Sequence, residues 1–153
     1  MLILMILPAR RLLAYALCAI CTMLPLAVHG KGTDSADTLY QRLGGKRVVA
    51  KLVGELIDRS TRDARTQRTF EKINVKRLKE KVEEQICALA DGPCTFAGDD
   101  MKQSHAGLNI TESEFYGFVE VLIEVLDSNG IGLKEKNQLL AILAPMKRDI
   151  VTR

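Results

Sequence analysis

Residues 101–111 read MKQSHAGLNIT, and the interpretation of the whole sequence depends on this stretch. Its first six residues are predicted to form a short helix that ends at Gly107. Thr111 and Glu114 have the spacing of a capping box, which begins the next helix. His105 therefore lies on a short segment bounded by turns, and it is the only histidine outside the first thirty residues. A single imidazole in this setting is a candidate cofactor ligand.

The sequence before this stretch has the periodicity of helices. Residues 38–43 predict a short helix that is stopped by two glycines, and apolar residues across 48–57 recur at helical spacing. The polar run 58–69 predicts a solvated connection. Residues 74–89 predict a further helix, with an asparagine as its cap.

The loop before His105 and the sequence after it continue the pattern. Residues 91–100 predict a loop because they are rich in Gly, Pro and Asp. A strong apolar stripe covers 115–126, a turn signal follows at 129–132, and 139–150 predict a last helix with a kink at Pro145. There are no internal repeats. The fold class predicted from the whole chain is all-α, with five or six helices.

The first thirty residues have a different character. Two arginines precede an apolar run over 12–28, which ends in small residues of the kind that signal peptidase recognises at its cleavage site. This is the pattern of a secretory signal peptide. The alternative is an uncleaved membrane anchor, although the run is short against the roughly 20 residues that a span needs. We expect 1–30 to be the signal, 31–37 a linker and 38–153 the folded domain. The expected location is the periplasm or the cell exterior, or else the inner membrane with the domain facing the periplasm.

The net charge and the number of cysteines limit the kinds of partner and the compartment that we expect for the chain. Two of the 22 Lys and Arg residues lie in the signal segment, which leaves 20 basic against 19 acidic residues and a net charge of about +1. We therefore expect no nucleic-acid partner, and membrane contact only if the N-terminal segment is uncleaved. Cys87 and Cys94 remain in the domain, an even number that suits an oxidising compartment.

The residue types favour cofactor chemistry over catalysis by side chains. The sequence has no Gly-rich phosphate loop, no zinc-ligand quartet and no nucleophile beside a base, so a bound cofactor is the best source of chemistry. A neutral imidazole is a common axial ligand of haem iron. An apolar stripe of Leu78, Val82 and Ile86 could contact such a ring, and Arg77 and Lys81 flank the stripe where propionates would need cations. Further apolar candidates on facing helices are Ile57, Phe70, Ile110, Phe115 and Phe118.

Taken singly, these features have simpler interpretations. A lone histidine near a loop is often a surface or capping residue, an apolar stripe is often plain core, and an Arg/Lys pair is often only solvated. A zinc site made of His105, Cys87, Cys94 and a carboxylate is a further alternative, but no fourth ligand is marked.

Taken together, the motifs resemble the group I truncated haemoglobins. The resemblance runs from about Leu39 to the end of the chain, and it is closest to a subset that carries a signal peptide and the Cys…Gly-Pro-Cys spacing. The matching segments are LYQRLGG (39–45), Phe70, RLK (77–79), Lys81, GP (92–93), FAG (96–98), MKQSHAGLNIT (101–111), Phe115 and ILAP (142–145).

The resemblance implies a truncated globin, a two-over-two helical sandwich around one haem b. It implies that His105 is the iron ligand, that Phe70 lies against the haem face and that Arg77 and Lys81 lie at the propionates. It also places glycine turns at Gly44-Gly45 and Gly107. The predicted haem contacts are His105, Ile57, Phe70, Ile73, Arg77, Leu78, Lys81, Val82, Ile86, Met101, Ile110, Phe115 and Phe118.

The sequence departs from the family where a bound gas would lie. Many members have a Tyr and a Gln that donate hydrogen bonds to bound oxygen, and these positions fall on Ile57 and Val82. The position of the distal globin histidine falls on Leu78. Gln85 is the nearest amide, and we expect it to point partly away. The distal pocket is therefore predicted to be apolar, and the loss of a donor worth about 1–3 kcal/mol should let oxygen leave faster.

The predicted function is reversible binding of diatomic gases (oxygen, NO and CO) at a histidine-ligated haem iron, as in oxygen-binding and oxygen-transport globins. A sensor, gas scavenger or redox protein fits an apolar pocket better than a long-lived oxygen store. The alternative is a haem-dependent NO-detoxifying or peroxidase-like enzyme supplied by an electron-donating reductase, and a third is a haem-free interaction module. No catalytic residue is predicted.

For Lys81 and for the two cysteines of the domain, a second role remains an alternative prediction. Lys81 is expected to pair with a propionate, but in some relatives a residue at this place becomes a sixth iron ligand, for which a lysine must lose its proton. Cys87 and Cys94 are candidates for a disulfide between a helix end and a loop, against two buried thiols if the protein is not exported.

Overall fold

The computed structural model describes residues 37–153, which contain seven α-helices and two 3₁₀ helices. The predicted signal segment and almost all of the predicted linker lie outside these residues. The 3₁₀ helices are Gln67–Phe70 and Ala144–Met146. The α-helices are α1 (Leu39–Arg42), α2 (Gly45–Ser60), α3 (Val75–Leu89), α4 (Met101–Ser104), α5 (Glu112–Ser128), α6 (Leu133–Leu143) and α7 (Lys147–Ile150). Across 37–153, no helix combines the length and apolarity that crossing a bilayer requires.

Side-chain hydrogen bonds cap the N-termini of α3 and α5. The predicted capping box of α5 is confirmed: the Thr111 hydroxyl accepts from the amide of Glu114 at 3.2 Å, and the Glu114 carboxylate accepts from the amide of Thr111 at 2.9 Å. The predicted cap of α3 is also confirmed, because the Asn74 side chain accepts from the amide of Arg77. These bonds satisfy amide groups that the first turn of a helix leaves unpaired.

The structure corrects two predicted helix boundaries. The connection predicted from residue 58 starts later, because α2 continues to Ser60. The single kinked helix predicted over 139–150 is two helices: α6 starts earlier, at Leu133, and ends at Leu143. Pro145 lies in the 3₁₀ helix between α6 and α7, because a proline lacks the amide hydrogen that an uninterrupted helix needs at that position.

The turn between α1 and α2 requires glycine. Gly44 and Gly45 both have positive φ angles, +101° and +65°. A Cβ atom at Gly44 would lie 2.5 Å from Cγ2 of Val48, so a side chain there would clash as well as strain the backbone. The two glycines therefore allow α1 to fold back sharply onto α2.

Helix α2 is the centre of the packing. It packs against both α3 and α5, whereas α3 and α5 pack on α2 far more than on each other. Val53, Val125 and Leu126 are fully buried where α2 meets α5. A cavity of about 10 Å³ within this core is the size of a water molecule and is too small for a cofactor. Any larger ligand must therefore lie outside this core.

Candidate functional site

The imidazole of His105 is held in one orientation at the end of α4. Its Nδ1 lies 2.8 Å from the carbonyl oxygen of Met101 and 3.0 Å from Oγ of Ser104. The Ser104 hydroxyl donates to the carbonyl of Asp100 at 2.7 Å, so it presents a lone pair to Nδ1. Both neighbours therefore accept, which assigns the ring proton to Nδ1 and leaves the lone pair on Nε2. A metal-binding histidine typically holds its other ring nitrogen in this way.

The segment around His105 is anchored at both ends. The Asp100 side chain caps α4 by accepting from the amide of Gln103 at 2.7 Å. Ile110 forms an isolated parallel bridge with Val151, and its carbonyl accepts from the amide of Thr152 at 3.0 Å. The C-terminal residues thus fix the position of the chain on the far side of His105.

Most of the predicted apolar contacts are only partly buried in the structure. The rings of Phe70 and Phe118 stack with their centroids 6.3 Å apart and an angle of 29° between their planes. Ile73 beside them is 38% exposed. Apolar side chains left partly exposed can contact an apolar ligand. Six of the predicted apolar contacts are half-buried: Phe70, Leu78, Val82, Met101, Phe115 and Phe118.

Three predicted contacts are buried instead. Ile57, Ile86 and Ile110 are 1%, 7% and 7% exposed. Ile86 lines the small core cavity together with residues of α2, α5 and α6. Its side chain therefore serves the core, whatever further contact it makes with a ligand.

The two predicted cations lie on the exposed side of α3. Arg77 is exposed, and within residues 37–153 its side chain forms no ion pair. The ammonium of Lys81 lies 2.7 Å from the Glu84 carboxylate, one turn further along the helix. Arg77 is thus the cation whose charge remains available to an anionic ligand group, and Lys81 already has a carboxylate partner.

The predicted orientation of Gln85, partly away from a bound gas, stays a prediction. Gln85 is half-buried, and its Nε2 lies 3.5 Å from the sulfur of Met101. Gln85 comes seven residues after Leu78 and three after Val82, a spacing that places all three on one helix face. A thioether is a weak acceptor, so the amide of Gln85 is only weakly satisfied there.

Cys87 and Cys94 are joined by a disulfide, with their Cα atoms 5.8 Å apart. The bond ties the end of α3 to the loop that leads to α4. Because both sulfurs are used in it, the zinc alternative loses its two thiolates. Residues 37–153 hold no group of three or more His, Cys, Asp or Glu side chains placed to bind a metal ion.

Replacing both Cys87 and Cys94 with serine is expected to lower the free energy of unfolding by about 2–3 kcal/mol, the loop-entropy value for so short a ring. The measurement is urea unfolding of the oxidised protein and the double variant at one haem concentration. The control is the unsubstituted protein under reductant, which should match the variant. Alkylation of either cysteine without reductant would show that the bond is absent.

Residues 58–69, predicted only as a solvated connection, contain Arg68, whose contacts the sequence did not reveal. The Arg68 guanidinium forms a bidentate ion pair with Glu114 at the start of α5, with distances of 2.6 and 2.7 Å. Arg65 pairs with nearby Asp63 and also with Glu120 of α5. Nothing in the local pattern signals the two pairs with α5, because Glu114 and Glu120 lie 46 and 55 residues further along the chain.

The sequence matches a family of known proteins over nearly all of the described residues. Residues 38–152 match the sequence pattern of the family described as bacterial-like globin. The group 1 truncated hemoglobin GlbN of Mycolicibacterium paratuberculosis is 30% identical over 115 residues, which cover 75% of this chain and 85% of that protein. The group 1 truncated hemoglobin of Tetrahymena thermophila is 22% identical, over 73% of this chain and 93% of that protein.

Solved structures show the same fold. The truncated hemoglobin of Tetrahymena pyriformis, in its Fe(III) form, superimposes with a TM-score of 0.72 at 20% identity, covering 76% of this chain and all of that one. The 2/2 hemoglobin of Synechococcus sp. PCC 7002, solved in the cyanomet state with covalently attached heme, gives a TM-score of 0.71 at 20% identity, with the same coverage. The predicted all-α, two-over-two fold is confirmed. The chain belongs to the bacterial-like globins, a family of haem-binding proteins, and within it to the group 1 truncated haemoglobins.

Proposed function

We propose that this chain binds one haem b, with Nε2 of His105 as the protein ligand of the iron, and reversibly binds oxygen, NO or CO there. The observation that carries the proposal is the orientation of His105: Nδ1 is committed to Met101 and Ser104, and the lone pair of Nε2 is left for a metal. The bound haem supplies the iron at which a diatomic gas coordinates.

The residues proposed to contact haem suit it in polarity. The half-buried faces of Phe70, Leu78, Val82 and Phe118 offer apolar area to the ring, and covering them removes that area from water. The exposed cation of Arg77 suits a propionate at the edge. Lys81 is a second candidate for this role, since its pairing with Glu84 is a surface contact that is easily exchanged.

The side chains on the proposed gas-binding side set the ligand preference. Ile57, Leu78 and Val82 have no hydrogen-bond donor to offer a bound gas. Bound dioxygen carries partial negative charge, whereas CO depends little on a donor, so we propose that oxygen is held weakly relative to CO. Gln85 is the nearest side-chain amide, and its hydrogen bond to the sulfur of Met101 holds it next to α4.

We also propose that the protein acts in an oxidising compartment, the periplasm or the cell exterior. The disulfide between Cys87 and Cys94 supports this, because such bonds rarely persist in a reducing cytosol. Recovery of the protein in a periplasmic fraction, with its N-terminus near Lys31, would test the location and the cleavage together.

The first test of the proposed function is a haemin titration of the chain from Lys31 onward. Absorption spectra would be recorded in the ferric, ferrous and ferrous-CO states. We expect one haem per chain and a sharp Soret band that shifts with CO. Failure to take up stoichiometric haem would reject the function and leave only the fold.

Introducing a donor on the proposed distal side should strengthen oxygen binding selectively. Ile57→Tyr is expected to slow oxygen dissociation by about 5- to 150-fold, the factor that corresponds to 1–3 kcal/mol for one hydrogen bond to a charged acceptor. The measurement is stopped-flow displacement of oxygen by CO.

Ile57→Phe is the matched control for this experiment. It adds the same ring to a position that is 1% exposed, so it carries the same overpacking without the hydroxyl. If the two variants release oxygen equally fast, Ile57 does not face the bound gas.

A further inference from the structure

Arg68 links the two sides of the proposed haem site. It lies in the 3₁₀ helix that contains Phe70, two residues before that ring. Besides its ion pair with Glu114, its Nη1 donates to the carbonyl of Leu108 at 3.2 Å and its Nη2 to the carbonyl of Asn109 at 3.1 Å. One guanidinium therefore connects the Phe70 segment, the turn that follows His105 and the start of α5.

The turn after His105 has a few weak bonds of its own: the amide of Ala106 donates to the carbonyl of Gln103, and the side-chain amide of Asn109 donates to the carbonyl of Gly107, both at 3.3 Å. Ala106, Gly107 and Asn109 are exposed. Gly107 and Asn109 both have positive φ angles, +78° and +48°, which glycine and asparagine adopt more readily than other residues. The two bonds from Arg68 act on this turn, next to the bond from the amide of Leu108 to the carbonyl of His105 at 3.2 Å.

The ion pair that supports these bonds joins a guanidinium that is 51% exposed to a carboxylate that is largely buried. The Glu114 side chain is only 14% exposed and also accepts from the amide and hydroxyl of Thr111, both at 2.9 Å. The Arg68 guanidinium is the main reason that the pKa of Glu114 falls from 4.5 to about 2, against the opposing effect of burial. Because the folded-state pKa is lowered, the stabilisation is complete above pH 4.5 and is lost as the pH falls towards 2.

We propose that Arg68 is a positioning residue, which fixes the turn after His105 and thereby the orientation of the imidazole towards the iron. The inference rests on the proposed ligation of haem by His105. A bidentate guanidinium suits the task because its planar donors serve a carboxylate and two carbonyls at once, which a lysine ammonium cannot reproduce.

The test compares Arg68→Met with Arg65→Met, a matched control. Arg65 precedes the same 3₁₀ helix and also pairs with α5, through Glu120, but it forms no hydrogen bond with residues 101–111. The first measurement is hydrogen exchange at the amides of Leu108 and Thr111, before and after haemin is added. We expect exchange to be about tenfold faster in Arg68→Met and unchanged in Arg65→Met, the factor expected from losing a hydrogen bond to a charged group.

The second measurement is the iron–histidine stretching band in the resonance Raman spectrum of the ferrous protein. The band should shift or broaden in Arg68→Met and stay in place in Arg65→Met. If Arg68→Met does not fold, Arg68→Lys gives the same comparison, because it keeps the charge but loses the forked bonding.

The outcomes separate this inference from the proposed function. A normal band and normal exchange in Arg68→Met would overturn the positioning role while leaving haem ligation intact. Equal changes in the Arg65 and Arg68 variants would show a general effect on folding and would also overturn it. A band that is absent from the unsubstituted protein, or that survives in His105→Ala, would refute the proposed function and the positioning role with it.

Discussion

The His105→Ala variant is expected to lose the histidine-ligated haem spectrum. The imidazole is the only side chain between residues 101 and 111 with a lone-pair nitrogen suited to iron, and its Nδ1 is already committed to Met101 and Ser104. Without it, the remaining contacts proposed for haem are apolar packing and one or two cations. We expect loss of the sharp Soret band and of the iron–histidine band, with residual, spectrally heterogeneous haem uptake.

Two comparisons make this result specific to the ligand. Lys102→Ala changes an exposed residue of α4 and should keep the normal spectrum. Free imidazole added to His105→Ala should restore part of the ferrous spectrum, because it can occupy the space that the side chain leaves. If His105→Ala retained the unsubstituted spectrum in all three states, another residue would be the ligand.

The largest expected loss of stability comes from Leu126→Ala in the core. Leu126 is fully buried on α5 and borders the cavity of about 10 Å³, with Val53 and Leu139 among the other lining residues. Removing its side chain enlarges a void that the rigid helices cannot close. We expect the free energy of unfolding to fall by about 2–5 kcal/mol, as for other buried leucines replaced by alanine. The measurement is urea unfolding of the ferric protein at a fixed haem concentration, since ligand binding itself adds stability.

Leu133→Ala is the matched control, because this leucine is 69% exposed at the start of α6. Its replacement should change the unfolding free energy by no more than about 0.5 kcal/mol. If both variants lost a similar amount of unfolding free energy, the buried fraction of a side chain in this structure would not predict its contribution to stability.

The contrast between Arg68 and Thr111 shows which kind of contact a sequence reveals. Thr111 and Glu114 are three residues apart, so their capping box was predicted from spacing alone and was confirmed. Arg68 and Glu114 are 46 residues apart, and their pairing exists only because the 3₁₀ helix and α5 meet in the folded chain. Gln85 lies between these cases: its helix face could be read from spacing, but its contact with Met101 depends on how α3 and α4 are placed.

The sequence by itself determined the all-α fold class, most helix positions and the candidate ligand His105. These follow from local rules: apolar periodicity, caps, glycine turns and a motif of neighbouring residues. Only the tertiary structure decided that Ile86 lines the core cavity and that Arg68 donates to the turn after His105. The physical reason is that both contacts join segments far apart in the chain, and no short stretch of residues encodes the distance between such segments. The assignment of the lone pair to Nε2 of His105 differs from these two, because it rests on contacts with Met101 and Ser104 in the same short segment and needed only the local geometry of the side chains.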